Sequence, residues 1–182
     1  MERNLDIIIT NKMKIAKTRY VKTPQRGTPL SAGIDFFVPL FDEEFVNDLC
    51  IKNNLRQTPE KLLEQRCFKL IPEQRVLIPA GIKVNFEGEP KMLVAFNKSG
   101  IATKKGLDVL ACVVDQDYMG EIHISLVNTS GDDVNIMENE KIVQFILIPV
   151  FYDTVEEVDE NELWKTETER GVGGFGSTNN KQ

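Results

Sequence analysis

Residues 107–130 read LDVLACVVDQDYMGEIHISLVNTS. Two apolar runs, 107–114 and 122–127, flank a polar tip that holds Asp115, Asp117, Tyr118 and Gly120. Short runs of Val, Ile and Leu bounded by Asp, Gly and Asn are strand signals, and their spacing predicts a hairpin turning at the tip. The same signature recurs in RVLIPAGIKVNF (75–86), KMLVAFN (91–97) and EKIVQFILIPVFY (140–152). Many short strands separated by turn residues predict an all-β sandwich or barrel.

One stretch departs from the pattern. FDEEFVNDLCIKNNLRQTPEKLLEQ, about residues 41–65, reads as two short helices. Phe45, Leu49 and Ile51 are expected on the apolar side of the first. Thr58-Pro59 supplies an N-cap and a first-turn proline for the second. A helical piece inside a β chain is expected to be an insertion.

Composition narrows the function classes. The chain has 182 residues, 41% of them hydrophobic, enough for one domain with a real core. A net charge of −6 argues against a general nucleic-acid binder. Bases gather in residues 1–27 and acids in 153–170, a distribution that solvated surface explains. The longest apolar run, 145–152, is too short to span a bilayer, and the N-terminal residues lack a secretion-signal pattern. Cys50, Cys67 and Cys112 are odd in number and widely spaced, as expected of reduced thiols in a cytoplasmic protein. His123 is the single histidine, so a zinc centre is not expected, and it reads as a strand-face residue.

Four polar clusters stand out in the β region. In AGIDFFVP (32–39), Asp35 sits among apolar residues, where a carboxylate needs a partner, a turn to cap or a metal. In NKSGIATKKGL (97–107), Lys98, Ser99 and Gly100 place a cation, a hydroxyl and a bare amide at the expected start of a helix, an anion-binding arrangement. At the tip of the quoted stretch, Asp115 and Asp117 with Tyr118 offer a general base and a ring, or simply turn chemistry. In NEKIVQ (139–144), Gln144 is an amide in an apolar strand. The C-terminal RGVGGFGST (170–178) surrounds Phe175 with glycines, between Arg170 and the hydroxyls of Ser177 and Thr178. So many glycines give a segment that loses much entropy on ordering.

In this order the five segments resemble the motifs of the trimeric dUTP pyrophosphatases (dUTPases), and LIPAGIKVNF (77–86) resembles the stretch that precedes their second motif. The resemblance covers about residues 14–40 and 68–178. It implies a dUTPase-like β-barrel or jelly-roll over 1–169, with 41–65 as the insertion and 170–182 as a flexible lid. It implies hydrolysis of dUTP to dUMP and pyrophosphate with Mg²⁺, which limits uracil in DNA and supplies dUMP for dTMP synthesis. By the same carry-over, Asp115 activates the attacking water and Tyr118 lies under the deoxyribose. Backbone between about Val109 and Asp115 reads the uracil edge. Lys98, Ser99, Gly100 and Gln144 bind phosphate, and Asp35 holds a water on Mg²⁺. Phe175 stacks on uracil, with Arg170, Gly176, Ser177 and Thr178 at the phosphates. Sites are implied to be shared within a homotrimer. Two departures are visible: Lys98 stands where Arg is common, and Asn139-Glu140-Lys141 where a Gly-Asp-Arg lead-in is common. Two other readings share these residues: a dCTP deaminase-like or bifunctional enzyme of the same fold, and a nucleotide-sensing protein acting on a protein partner through 41–65.

Overall fold

A computed structural model describes residues 12–173. Two antiparallel sheets carry the site. A five-stranded sheet runs β2 (Gln25–Arg26), β3 (Ile34–Phe37), β12 (Lys141–Pro149), β7 (Lys91–Asn97), β9 (Val113–Val114). A three-stranded sheet runs β5 (Arg75–Pro79), β10 (His123–Asn128), β8 (Leu107–Val109). Two strand pairs complete the β framework: β1 (Met13–Lys17) with β6 (Ile82–Phe86), and β4 (Cys67–Leu70) with β11 (Val134–Met137). One contiguous core joins them, including Phe36, Phe68, Ile78, Leu93, Leu126 and Phe145, with the Phe36 and Phe145 rings 4.5 Å apart.

The predicted hairpin takes a different form. β9 pairs with β7, whereas β10 pairs with β5 and β8. The base of the hairpin forms, with Leu107–Val109 paired to 126–128, but the chain changes sheets within the first apolar run, between β8 and β9. Leu110 N–H still donates to the Ser125 carbonyl at 3.0 Å, while the Cys112 carbonyl already accepts from Ala95 N–H at 2.8 Å. β8 thereby covers the edge of β10 and β9 the edge of β7.

The insertion forms α1 (Glu43–Lys52) and α2 (Pro59–Gln65). Asp42 caps α1, accepting Phe45 N–H at 2.8 Å, and Thr58 caps α2. Phe45, Val46 and Leu49 point inward on α1 and Leu62 on α2. Ile51 does not belong to that side: it is 84% exposed. It lies two residues past Leu49, about 200° around a helix of 3.6 residues per turn, so burying one exposes the other. Phe41 stands 5.1 Å from Phe45 and 6.3 Å from Phe68, docking the insertion on β4. Asn53 clamps its end: Nδ2 donates to the Leu49 and Leu77 carbonyls, and Oδ1 accepts Leu77 N–H at 2.7 Å.

Among the described residues, 152–173 form a separate unit. Within it, a short 3₁₀ turn spans Glu160–Glu162, and Gly171 N–H donates to the Thr168 carbonyl at 3.0 Å. Among the described residues, no helix is long and apolar enough to cross a membrane.

Candidate active site

The first group of polar residues sits where β3, β12 and β7 meet. Asp35 is buried in β3, and Gln144 faces it in register from β12. A bulge interrupts β12 between Lys141 and Val143. In an unbroken strand, residues three apart face opposite sides. The extra residue puts Lys141 and Gln144 on Asp35's side together. The Asp35 carboxylate is then shared by two ammonium groups, Lys98 on one oxygen and Lys141 at 3.2 Å on the other. A carboxylate this buried is stable only when so paired.

Lys98 is also the N-cap of α3 (Ser99–Lys105), so Ser99 and Gly100 form its first turn. Their amides have no intrahelical acceptor. Gln144 Nε2 donates to the Asn97 carbonyl at 2.8 Å, tying β12 to the residue before Lys98. Gly33 makes room for this: a Cβ there would stand 2.1 Å from Gln144 Oε1 and 2.9 Å from its Cβ. Asn97 Oδ1 in turn accepts Val109 N–H at 2.9 Å.

The second group surrounds the end of β9. Asp115 is the first residue past the strand, exposed, and its carbonyl accepts Tyr118 N–H at 3.2 Å to close a turn. Tyr118 Oη donates to the Glu121 carbonyl at 3.0 Å. Gly120 permits that fold-back, because a Cβ there would lie 2.3 Å from Tyr118 Oη. His123 Nδ1 lies 2.9 Å from the same carbonyl and must donate, since a carbonyl can only accept. Its Nε2 is buried without a hydrogen-bond partner. Asp115, Tyr118 and His123 line one cavity of about 310 Å³ with Val113, Val114 and Ile122.

Behind Tyr118 lies an ionic group. The Glu121 carboxylate takes Arg19 Nε at 2.9 Å, Arg19 Nη2 at 3.1 Å and Gly81 N–H at 2.6 Å. Arg19 Nη2 also reaches Asp48 of α1, whose other oxygen holds Lys52. Burial alone would raise both carboxyls. The Arg19 and Gly81 bonds hold Glu121 below its ordinary value, and Lys52 and Arg19 do the same for Asp48.

Comparison with known proteins identifies the family. The dUTPase family model matches residues 61–179. The deoxyuridine 5'-triphosphate nucleotidohydrolase of Desulfitobacterium hafniense is 31% identical over 172 residues, 92% of this chain and 95% of that one. The chain belongs to the dUTPase family. The corresponding protein of Hydrogenobaculum is 41% identical over 113 residues, 60% of this chain and 74% of that one. Among solved structures, the dUTPase of Staphylococcus bacteriophage 80alpha with dUPNHPP superposes with a TM-score of 0.68, over 92% of this chain and 98% of that one. Its identity is 18%, so that likeness is one of fold. A mutant dUTPase from phage phi11 of S. aureus, in which a structural Mg(II) ion is coordinated, gives 0.61 at 16% identity, over 82% of this chain and 98% of that one.

In this dUTPase the expected site residues fall into separate places. Asp35, Lys98, Ser99, Gly100 and Gln144 come together, with Val109 linked through Asn97. Asp115 and Tyr118 share the second cavity. Among the described residues, no side-chain hydrogen bond or ion pair joins the two groups. Val109 N–H is committed to Asn97, so it is not a free donor for a base. Arg170 lies in the C-terminal unit, its Nε donating to the Gly173 carbonyl at 3.0 Å. Phe175, Gly176, Ser177 and Thr178 lie outside the described residues.

Four participants were not legible beforehand: Gly33, Asn97, Lys141 and Glu121. The Asn139-Glu140-Lys141 lead-in proves workable. Asn139 adopts φ 61°, a left-handed turn that asparagine tolerates, and Glu140 Oε2 accepts Met137 N–H at 3.1 Å. Among the described residues, no three His, Cys, Asp or Glu side chains group as a metal site. Both Asp35 oxygens carry ammonium partners, so these residues do not fit direct ligation of a resident metal.

Proposed function

We propose that this chain hydrolyses dUTP to dUMP and pyrophosphate, acting as a cytoplasmic homotrimer on the Mg²⁺-bound triphosphate. The observation that carries the reading is the shared cavity of Asp115 and Tyr118, beside a segment whose backbone changes sheets. Its volume suits a small polar ligand or part of one.

Asp115 is the one carboxylate lining that cavity. As general base it takes a proton from water, whose oxygen bonds to the α-phosphorus as the bond to the β-phosphate bridging oxygen breaks. Pyrophosphate leaves and dUMP remains. Such proton transfer is worth ~10²–10⁴-fold. Tyr118 is pinned through its hydroxyl, so its ring is a fixed floor beneath the sugar and rejects a ribose 2′-OH. The 110–112 segment reads uracil through its backbone. Cytosine presents the opposite donor–acceptor pattern and leaves groups unpaired.

Charge stabilisation falls to the other group. Lys98 and Lys141 bring two cations against one Asp35 carboxylate, leaving a net positive charge toward phosphate. Ser99, Gly100 and Gln144 supply neutral donors. Mg²⁺ arrives on the triphosphate and neutralises charge on its oxygens. Separation of the two groups within one chain supports a site completed by a neighbouring subunit. Arg170 and residues 175–178 are proposed to close over the nucleotide.

Pyrophosphate release measured across dUTP, dCTP, dTTP and UTP with Mg²⁺ tests this. A strong preference for dUTP is expected. Ammonia release from dCTP, or equal rates on all four, would overturn it.

A further inference from the structure

We infer that helix α1 of the insertion positions Tyr118, through Asp48, Arg19 and Glu121, and thereby sets discrimination at the sugar; this rests on the dUTP reading above.

The connection is continuous. α1 is immobilised by the burial of Phe45, Val46 and Leu49 and by the Asn53 clamp. Asp48 projects from it to Arg19, whose side chain is 9% exposed. Arg19 grips the Glu121 carboxylate by two parallel bonds, geometry that fixes the plane of both groups. The carbonyl of that same Glu121 is the acceptor that holds Tyr118 Oη. A shift at Asp48 therefore reorients a residue whose backbone seats the tyrosine.

Charge explains why the link is firm. One guanidinium lies between two carboxylates, with Glu44 a third at 3.8 Å. Without Asp48, Arg19 is drawn wholly to Glu121 and loses its anchor on the helix. The Arg19 and Glu121 side chains are only 9% and 15% exposed, and exclusion of water strengthens each bond. Asp115 meets this chain of contacts only through its backbone carbonyl on Tyr118 N–H, and its carboxylate is not held by Arg19 or Glu121, so the chemical step is spared more than sugar placement.

The test compares wild type with Asp48→Asn, Asp48→Glu and the exposed control Glu43→Gln on the same helix. Asp48→Asn should raise KM for dUTP by roughly 2- to 30-fold with kcat little changed, the span of a positioning effect. It should lower the dUTP-over-UTP ratio of kcat/KM. Asp48→Glu should recover much of both, and Glu43→Gln should match wild type. In a Tyr118→Phe background, Asp48→Asn should add nothing, because the hydroxyl it acts through is gone. Tyrosine ¹³Cζ NMR on the same proteins reads the ring directly: Asp48→Asn should move the signal that Tyr118→Phe deletes. Should Asp48→Asn fail to fold, the displaced carboxylate of Asp48→Glu carries the same NMR readout. An unmoved Tyr118 signal, wild-type KM and sugar selectivity in Asp48→Asn, or an undiminished effect in the Tyr118→Phe background would overturn the inference. An inactive wild type with a Tyr118 signal that still answers to Asp48 would overturn the dUTP reading alone.

Discussion

Arg19 and Glu121 are joined by two parallel N–H···O bonds, Nε to Oε1 at 2.9 Å and Nη2 to Oε2 at 3.1 Å. The pair bridges residues 102 apart in sequence. It should govern acid stability. Burial pushes the Glu121 carboxyl up, but Arg19 and Gly81 outweigh it and hold the folded value below the ordinary 4.5. A depressed carboxyl stabilises the fold fully above its unfolded value, and that contribution disappears as pH falls through the lower folded value. Asp48, depressed from 3.8, behaves alike. Melting temperature should therefore hold near neutrality and drop as pH falls below about 4.5. Glu121→Gln should melt lower at pH 7 and decline less steeply in acid. Parallel pH curves for the two proteins would remove Glu121 from this role.

Asp115→Asn should leave the fold and nucleotide binding intact, since the side chain is exposed and the Asp115–Tyr118 turn uses its backbone carbonyl. Turnover should fall at least ~10²-fold, the lower bound for losing a general base. Pyrophosphate release checks the rate and equilibrium binding of a non-hydrolysable dUTP analogue checks the site. Near wild-type turnover would refute the assignment.

Gly33→Ala should be far costlier than its size suggests. The added methyl would meet both the Oε1 and the Cβ of Gln144, and the Cβ cannot swing away. Destabilisation of about 1–3 kcal/mol is expected from such overpacking. Breaking the Gln144–Asn97 bond should also weaken phosphate binding, seen as a raised KM. Calorimetry and steady-state kinetics read the two effects.

Much of this was legible in the sequence because strand composition and helix caps are local. Asp42, Thr58 and Pro59 mark the insertion's helices at positions fixed by a single turn of chain. Asp115 and Tyr118 were found because they lie three residues apart. Pairing was less accessible. The 107–130 stretch looks like one hairpin, and its base is one, yet Val113–Val114 at the end of the first arm pairs with β7 in the other sheet, a choice made by an edge outside the stretch. Lys141 and Glu121 were missed for the same reason: their partners, Asp35 and Arg19, are about a hundred residues away. Ile51 was misplaced because apolar character was read without its angle around the helix.

Assembly offers a fourth test. Light scattering should find about 62 kDa, three copies of the 20.7 kDa chain. An Asp115→Asn protein and a chain truncated before Arg170 should each have little activity. Exchanging subunits between them should restore part of it, because some mixed sites would then combine an intact Asp115 with an intact C-terminus. A monomer with full activity would refute shared sites.

The β12 bulge makes strand phase a determinant of chemistry. One residue more or fewer between Lys141 and Gln144 would send one of these side chains to the far side of the sheet, while 145–149 kept their pairing with β7. A one-residue change, nearly invisible in composition and hydropathy, would thus leave the barrel standing and disarm the side proposed to face phosphate. Relatives of this chain should accordingly tolerate substitution in NEKIVQ more readily than any change in its length, and transplanting the motif onto an unbulged strand should carry over the residues without their alignment.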